Sequence, residues 1–411
     1  MLLLCLSSFD MFCFLKHCQH IRELPIPPIE QGNYIDALNP EDYFTAVASP
    51  NRPEVRARRM RVINNLIGNR GFCPAIRRTE KIREFQATNF PSLIRNIESS
   101  YPPELIFNAT HYLCVKETKS SFAIERLTPD QKRMARFVEL LRRKTGKTLT
   151  KETLIQLQND IVDPRYADSD YRSTQVYVGE SVSLTDERVH YIAPKPSDIG
   201  EMMDAWLAMT NDLLKTQSDP VLIAAAVSFA FVFLHPFDDG NGRLHRYLLH
   251  FVLSRLCFIP DGMIFPFSAQ FYKNPVQYDR MLESVSFRLV PLIEYHLDSR
   301  SGEMTIENDT ADFYRFINMT EIAELFYPMV IKAIQEDFED ELKYLCDMGQ
   351  TCQEMREIVD MPEEKVRLFI TFVRQNHGDF PKGRRKQFAE LTDEEIEQLA
   401  KIVKTWLCPK E

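Results

Sequence analysis

Residues 231–247 read FVFLHPFDDGNGRLHRY, and this stretch decides the fold. The apolar run that ends in it, from Val221 to Leu234, is too short to cross a bilayer, so we predict a buried helix. A glycine-containing turn over 238–242 follows and leads into a second helix. Glycine lets the backbone approach a ligand closely, and the free N–H groups of a helix N-terminus attract an anion. The stretch therefore predicts two helices joined by an anion-binding turn.

The side chains of this stretch are those needed to transfer a phosphoryl-type group to a hydroxyl. His235 can take a proton near neutral pH, and Asp239 offers a hard oxygen ligand for Mg²⁺. Arg243 can bind phosphate bidentately, and Arg246, three residues on, lies on the same helix face. Each residue alone has an ordinary explanation, as a helix-end histidine, a turn residue or a solvated arginine. Together, in this order, they indicate a group-transfer site.

The stretch HPFDDGNGRLHR resembles the Fic-domain signature, H-P-F-x-[DE]-G-N-G-R-x-x-R, at every defined position. The resemblance implies a mainly α fold, a Fic-type helical bundle with a small β-hairpin flap. It also implies transfer of AMP from Mg-ATP to a Ser, Thr or Tyr hydroxyl of a protein, with His235 as general base and Asp239 holding Mg²⁺. The residues that would bind the α- and β-phosphates are Gly240, Asn241, Gly242 and Arg243.

A second resemblance lies upstream, in the SSFAIER stretch from Ser120 to Arg126. It is similar to the family's inhibitory helix, [ST]-x-x-x-E-[GN], so we expect a helix near 118–127. Ser121 and Glu125 fit this pattern, whereas Arg126 stands where Gly or Asn is usual. By the resemblance Arg246 reaches the γ-phosphate, and Glu125 paired to it would leave ATP bound in a non-productive pose. The alternative is a plain amphipathic helix with Glu125 exposed.

Residues 163–195 are rich in Tyr, Val and Thr and predict two short strands, 176–178 and 189–192. RSTQVYVG, residues 172–179, looks like the family's R-x-x-Q-N-W-I-G, with Val, Tyr and Val at the Asn, Trp and Ile positions. The resemblance makes the second strand part of the flap, which pairs with a target segment as an added strand. The flap residues are Val189, His190, Tyr191 and Ile192. By the same resemblance Phe237 anchors the turn in the core.

Composition is that of a soluble globular protein of two or three domains, with 411 residues, 44% of them apolar and 27% charged. The net charge of −9 argues against a general nucleic-acid coat protein. Nine cysteines without a C-x-x-C pair favour a reducing compartment, so we expect a cytoplasmic protein with scattered, buried thiols. Cys346 and Cys352 are the alternative disulfide pair.

The chain divides, by composition and pattern, into four segments. Residues 1–23 form an apolar tail of undetermined role, for which weak membrane association is an alternative, although we expect no membrane partner. A proline-rich arm and helices fill 24–103, the catalytic domain fills 104–300, and a helical module fills 301–411 after an acidic linker over 299–315. This is the organisation of the larger bacterial Fic proteins. Predicted helices cover 54–68, 79–100, 131–143, 148–161, 198–216, 220–234, 241–256, 276–298, 317–346, 350–359, 362–376 and 393–406.

Other functions stay open at this stage. The same site can use another nucleotide donor, or can remove AMP with Glu125 positioning water. The C-terminal module is compatible with a winged helix, and the run from Arg384 to Lys386 would then support a DNA-binding regulator with a silenced nucleotide site. A helical assembly module is the preferred interpretation. Neither the target protein nor self-modification is determined by the sequence, and homodimerisation is implied by the resemblance alone.

Overall fold

The protein is mainly helical in the computed structural model, as predicted, and the structure describes residues 34–46, 55–57, 61–142, 148–181, 187–260, 263–298 and 301–408. The predicted tail over 1–23 lies outside the described residues. The helices are α1 (Glu80–Gln86), α2 (Phe90–Ser100), α3 (Pro103–Ile124), α4 (Gln131–Arg142), α5 (Lys151–Ile161), α6 (Pro196–Leu213), α7 (Pro220–Leu234), α8 (Asn241–Arg255), α9 (Phe267–Lys273), α10 (Pro275–Leu289), α11 (Ala311–Arg315), α12 (Thr320–Lys332), α13 (Glu339–Ile358), α14 (Glu363–Gln375) and α15 (Asp393–Leu407).

Seven short strands form three small sheets. They are β1 (Ile35–Asp36), β2 (Val55–Ala57), β3 (Val62–Asn64), β4 (Tyr177–Ser181), β5 (Glu187–Ile192), β6 (Tyr295–Leu297) and β7 (Met304–Ile306). β3 lies between β1, which is parallel to it, and β2, which is antiparallel. β4 pairs antiparallel with β5, with a bulge at Val178 and Gly179, and β6 pairs antiparallel with β7.

The packing of the chain forms two compact units. Among the described residues, the first contains those up to 93 and those between 113 and 333, and the second contains those between 94 and 112 and from 334 onward. This grouping differs from the segments predicted at 104–300 and 301–411, which stay a prediction about sequence organisation. It differs because residues 301–333 pack in the first unit: Tyr314, 1% exposed, donates a hydrogen bond from its hydroxyl to the carbonyl of Ile192 at 2.5 Å.

The core of the first unit is built around α7, which is apolar on all sides. Asp219 caps its N-terminus, accepting from the N–H of Val221 at 2.9 Å, and Pro220 is the first helical residue. Each large apolar side chain buried here stabilises the fold by roughly 1.5–3 kcal/mol. α7 ends at His235, which adopts a left-handed conformation. α8 begins after Gly240 and packs against α7. The predicted pair of buried helices joined by a turn is confirmed.

Three predicted elements differ in the structure. Residues 54–68, predicted as a basic helix, instead contain β2 and β3, since β-branched Val62 and Ile63 fit a strand paired with the distant β1. The predicted linker over 299–315 carries β7 and α11. The predicted helix over 276–298 ends at Leu289, where Pro291 and the β6–β7 hairpin follow.

Helix ends also differ from prediction in places. The sequence Thr128-Pro129-Asp130 predicts a helix start capped by Thr128. Instead, α4 begins at Gln131, and the Asp130 side chain accepts from the N–H of Arg133 at 2.7 Å. The helix predicted over 79–100 is divided into α1 and α2 around Asn89. Conversely, the break predicted between the helices at 317–346 and 350–359 falls inside α13. α12 is followed by a π-helical turn, Ala333–Phe338, and then by α13.

The second unit is helical, and its described residues from 334 to 408 contain no strand, so there is no β wing in that range. Its core is apolar and includes Phe369, Phe388 and Leu399. Thr392 forms the predicted cap of α15 in a capping box with Glu395. Arg385 donates to the carbonyl oxygens of Phe388 at 2.5 Å and Leu391 at 2.6 Å, so this arginine of the basic turn serves the fold.

Six described cysteines are free thiols, including both members of the alternative disulfide pair. Only Cys114 among these six is buried, so the expectation that the thiols are generally buried is wrong. Within the described ranges, the structure contains no helix with the length and apolar character that crossing a bilayer requires.

Candidate active site

His235 lies where α7 ends and the turn begins. Its backbone takes φ 48° and ψ 57°, and its N–H still donates to the carbonyl of Phe231 at 3.0 Å. The ring Nδ1 is 3.3 Å from the carbonyl of Val232. Since a carbonyl only accepts, this contact puts the proton on Nδ1 and leaves the Nε2 lone pair free. Burial, and after it the positive charge of Arg172, lowers the pKa of His235 to about 4, so the ring is neutral at pH 7.

Arg172 holds the backbone around His235 in place. The guanidinium is buried, and it donates to the carbonyls of His235 at 2.7 Å, Thr174 at 2.6 Å and Pro194 at 2.5 Å. Its own N–H donates to the carbonyl of Pro236 at 2.8 Å. One side chain thus fixes the His-Pro turn and the base of the hairpin that contains β4 and β5. Burial lowers the pKa of Arg172, although the group remains a cation at neutral pH.

Asp239 lies on the turn, partly exposed, with its carboxylate directed to the start of α8. Its Oδ1 accepts from the N–H of Gly240 and from a terminal nitrogen of Arg243, both at 2.6 Å. Asp239 also lines a cavity of about 470 Å³ together with Asp168 and Asp238. Burial, and then the neighbouring carboxylates, raises the pKa of Asp168. Among the described residues, no group of three or more His, Cys, Asp or Glu is arranged to hold a metal.

The glycine turn forms a backbone cradle at the N-terminus of α8. Gly240 has φ 88°, a conformation that L side chains rarely adopt. A Cβ on Gly242 would meet the Glu125 carboxylate at 2.5 Å, so a negatively charged group already approaches the backbone there. The side chain of Asn241 serves the turn itself: its Oδ1 accepts from the N–H of Phe237 at 3.1 Å and its Nδ2 donates to the Phe237 carbonyl at 2.7 Å. Phe237 is fully buried.

The arginines of α8 meet Glu125. Arg246 donates to Glu125 Oε1 at 2.6 Å and to the Ser121 hydroxyl at 2.8 Å, while Arg243 Nε lies 2.7 Å from Glu125 Oε2. Both guanidinium groups are buried, and the Glu125 side chain is 23% exposed. Burial alone would lower the pKa of Arg246, but Glu125 and Tyr278 raise it. A single carboxylate therefore neutralises two buried cations at the cradle, where the sequence predicted a pairing with Arg246 only.

Glu125 is placed by the end of α3, which is longer than the predicted helix near 118–127. Leu127 donates its N–H to the carbonyl of Phe122 at 3.0 Å, and Arg126 donates to Ala123 at 2.9 Å. Arg126 takes φ 57°, the left-handed conformation that closes such a helix end. Glycine or asparagine adopts this conformation with least strain, which explains physically why a residue of that kind suits this position.

The predicted flap strands are present as β4 and β5. Tyr191 faces the interior and donates its hydroxyl to the carbonyl of Phe233, and Ile192 is buried. His190 lies near the surface, 3.4 Å from Glu180 across the hairpin. Val189 is half-buried. The inward side chains of Tyr191 and Ile192 support the strand from beneath. Docking of a target segment therefore stays a prediction, and it concerns the backbone of the hairpin.

Three buried residues were missed by sequence reasoning as parts of this site. Arg172 begins the R-x-x-Q stretch, which was the available signal. Glu117 lies four residues before Ser121, and its spacing from Ser121 and Glu125 would have placed all three on one helix face. Gln158, on α5, contacts the Asp239 carbonyl at 3.2 Å, and nothing in its local sequence indicates this.

Comparison with known proteins agrees with the sequence motif. The model of the Fic/DOC family matches residues 148–253. "Protein adenylyltransferase Fic" from Nematostella vectensis is 35% identical over 94 residues, which are 22% of this chain and 19% of that protein. "Protein adenylyltransferase fic-1" from Caenorhabditis elegans is 36% identical over 103 residues, 25% of this chain and 18% of that protein. The chain thus matches about a fifth of the length of these relatives.

Solved structures give weaker likenesses. A Fic domain containing signaling protein from Bacteroides thetaiotaomicron aligns with a TM-score of 0.44 and 19% identity, over 62% of this chain and 97% of that chain. A Fic family protein from Desulfovibrio desulfuricans aligns with a TM-score of 0.41 and 15% identity, over 78% of this chain and 84% of that one.

Proposed function

The chain carries a Fic domain at residues 148–253, and from this premise we propose that it is a protein adenylyltransferase that transfers AMP from ATP to a Ser, Thr or Tyr hydroxyl of a protein. One observation carries the proposal. A neutral imidazole with a free Nε2 lone pair lies beside a helix N-terminus whose glycine cradle faces two buried guanidinium groups. These are the groups that proton abstraction and binding of a polyphosphate require.

The transfer step is an in-line displacement at the α-phosphorus. The target hydroxyl oxygen forms a bond to this phosphorus while the bond to the bridging oxygen of the β-phosphate breaks, and pyrophosphate leaves. The hydroxyl proton passes to Nε2 of His235. The N–H groups from Gly240 to Gly242 and the Arg243 guanidinium hold the α- and β-phosphates, and Arg246 binds the γ-phosphate once Glu125 has left it.

Magnesium fits the residues present. Asp239 presents one partly exposed carboxylate at the edge of the cradle, and Mg²⁺ is commonly held by one or two carboxylates together with substrate phosphates and water. Bound there, the ion would neutralise charge on the phosphates. In this structure Arg243 donates to the Asp239 Oδ1 atom at 2.6 Å, which holds the carboxylate beside the first turn of α8.

Inhibition by Glu125 is part of the proposal. The carboxylate contacts Arg246 at 2.6 Å and Arg243 at 2.7 Å, so ATP must compete with it for both cations. A nucleotide bound while Glu125 remains would lack its γ-phosphate partner and lie in a non-productive pose. Removing the carboxylate should release transfer, because two desolvated arginines then become free for the nucleotide.

The test uses the full chain and compares Glu125→Gly with the parent protein. After incubation with α-labelled ATP and Mg²⁺, intact mass should show the addition of one or more AMP groups, more in the variant than in the parent. Combining Glu125→Gly with His235→Ala should abolish label while nucleotide binding persists, and the exposed His296→Ala serves as the matched histidine control. Equal labelling of the variant and the parent would reject inhibition, and labelling that survives His235→Ala would reject the base.

Other reactions at this site are separated by two further arms. Competition among ATP, GTP, CTP, UTP and CDP-choline, read by the mass that is added, identifies the donor. Incubation of labelled Glu125→Gly protein with unlabelled parent protein tests AMP removal, since loss of the added mass would assign Glu125 to positioning water.

A further inference from the structure

Gln158 is a buried amide beneath the catalytic turn. It lies on α5 and is 0% exposed. Its Nε2 lies 3.0 Å from the carbonyl of Tyr166, 3.0 Å from Asp168 Oδ2 and 3.2 Å from the carbonyl of Asp239. Its Oε1 accepts from the N–H of Asp168 at 3.1 Å. One side chain therefore joins the 166–168 loop to the turn that bears Asp239.

The contact with Asp239 matters because this residue leads into the glycine turn and α8. Asp239 is followed by Gly240, whose backbone conformation starts α8, and a Cβ on Gly240 would lie 3.8 Å from Gln158 Cγ. The amide of Gln158 thus supports the peptide on which the carboxylate and the cradle both depend. A shift of even 1 Å in such groups is enough to weaken binding and catalysis strongly.

The second contact, with Asp168, extends the support to the cavity wall. Asp168 Oδ2 accepts from the N–H of Asp238 at 3.3 Å as well as from Gln158. Asp168, Asp238 and Asp239 line the same cavity. The residue beneath them must donate hydrogen bonds to carbonyl and carboxylate oxygens, accept one from a backbone N–H, and add no negative charge. A glutamine meets all these requirements, whereas glutamate would place a further carboxylate beside them.

We propose that Gln158 is a positioning residue that sets the Asp239 carboxylate and the glycine cradle for Mg-ATP. The inference rests on the proposed function, since it assumes that Asp239 meets Mg²⁺ on a nucleotide. It differs from a general structural role in one respect. Gln158 contacts the backbone carbonyl of the residue whose carboxylate would hold the ion, so its loss should weaken binding of Mg-ATP more than binding of ATP alone.

The experiment measures ATP affinity by calorimetry, with Mg²⁺ and with EDTA, in the Glu125→Gly background. Gln158→Leu removes the hydrogen bonds at similar size. We expect the ratio of the two affinities to fall about 10-fold or more, the range seen when an outer partner of a metal ligand is removed. Affinity in EDTA should change less than about 3-fold. Gln156→Leu, an exposed glutamine on the same helix, is the matched control and should behave as the parent.

The outcomes are distinct. An unchanged ratio in Gln158→Leu, or an equal fall with and without Mg²⁺, overturns the inference. If Gln158→Leu does not fold by circular dichroism, Gln158→Met, which is unbranched like glutamine, gives the same test. If the Glu125→Gly protein binds ATP equally well with Mg²⁺ and with EDTA, the inference is also overturned, because no ion is then positioned. A background protein that binds Mg-ATP but never transfers AMP defeats the proposed function, while the affinity ratio still decides the role of Gln158.

Discussion

If Glu125 inhibits as proposed, Glu117→Ala should increase transfer without changing any residue proposed to bind the nucleotide. Glu117 is 1% exposed, and its carboxylate contacts His250 Nε2 at 2.8 Å and accepts from the N–H of Ser268 at 2.8 Å. The Ser268 hydroxyl also donates to it. Glu117, Ser121 and Glu125 are spaced four residues apart on one side of α3, facing His250 and Arg246 on α8. The Glu117 network therefore fixes the register in which Glu125 reaches the arginines.

The magnitude follows from the donors that the alanine leaves behind. Three buried donors lose their partner, at about 1–3 kcal/mol each. Only part of this lost free energy opposes the docking of α3 against α8. If about 1.4 kcal/mol does, the population of undocked helix rises about tenfold. We therefore expect about tenfold more self-labelling with ATP, together with a lower unfolding midpoint.

The assay is α-labelled ATP incorporation at a temperature well below the unfolding transition of each protein. Lys119→Ala, on the exposed side of the same helix, is the control and should label as the parent does. Glu117→Ala in the His235→Ala background should give no label, which ties any increase to the same site. A variant that unfolds at lower denaturant yet labels at the parental level would refute the reasoning, because the network would then stabilise the core alone.

Four further outcomes are expected. Arg126→Gly relieves a left-handed residue at the end of α3 and should raise unfolding free energy by about 1 kcal/mol and lower basal labelling; unchanged denaturant midpoints would contradict it. In Glu125→Gly, kcat/KM should stay level from pH 7 to about pH 5, since the pKa of His235 is about 4, whereas an acid limb near 6.5 would show an unshifted ring. The free energy of unfolding should fall as pH drops from about 6.5 toward 4. In this range histidines of the unfolded chain take up protons, whereas folded His235 does not, and neither does folded His245, whose pKa burial lowers to about 3. A stability that does not change with pH would count against both shifts. Asp239→Asn should keep ATP affinity in EDTA within about threefold and lose most of the Mg²⁺ enhancement, as titration calorimetry would show.

The sequence allowed the centre of the molecule to be predicted because its information there is local. The almost wholly apolar run between Asp219 and His235 has the length of a buried helix, and the glycine turn before two arginines favours the start of another. The hairpin was visible from β-branched and aromatic alternation around residues 177 and 191. Pairing of Glu125 with Arg246 was predicted from a motif, and the structure shows the contact at 2.6 Å.

The missed features depend on partners far away in the chain. The segment over 54–68 has the arginines of a surface helix, but pairing of Val62 with Ile35 makes it a strand. The acidic stretch after 299 reads as a linker until Tyr314 is seen bonded to Ile192, across 122 residues. Gln158 is an ordinary polar residue by sequence, and Arg172 is marked only by the R-x-x-Q resemblance. Their roles arise only where the fold brings backbone carbonyls of the catalytic turn to them.

Glu125 resembles in charge and position the ligand it would exclude. It brings a negative group to the backbone of Gly242 at a helix N-terminus and shares its oxygens between Arg243 and Arg246, as a phosphate would. If Glu125 and the γ-phosphate exclude each other, docking of α3 weakens productive ATP binding by some factor. Linkage then requires that bound ATP weaken docking of α3 by the same factor. The depth of inhibition is then set by how firmly α3 is held elsewhere. Under the proposed inhibition, the buried contacts of Glu117 and Ser121, eight and four residues before Glu125, therefore control the site.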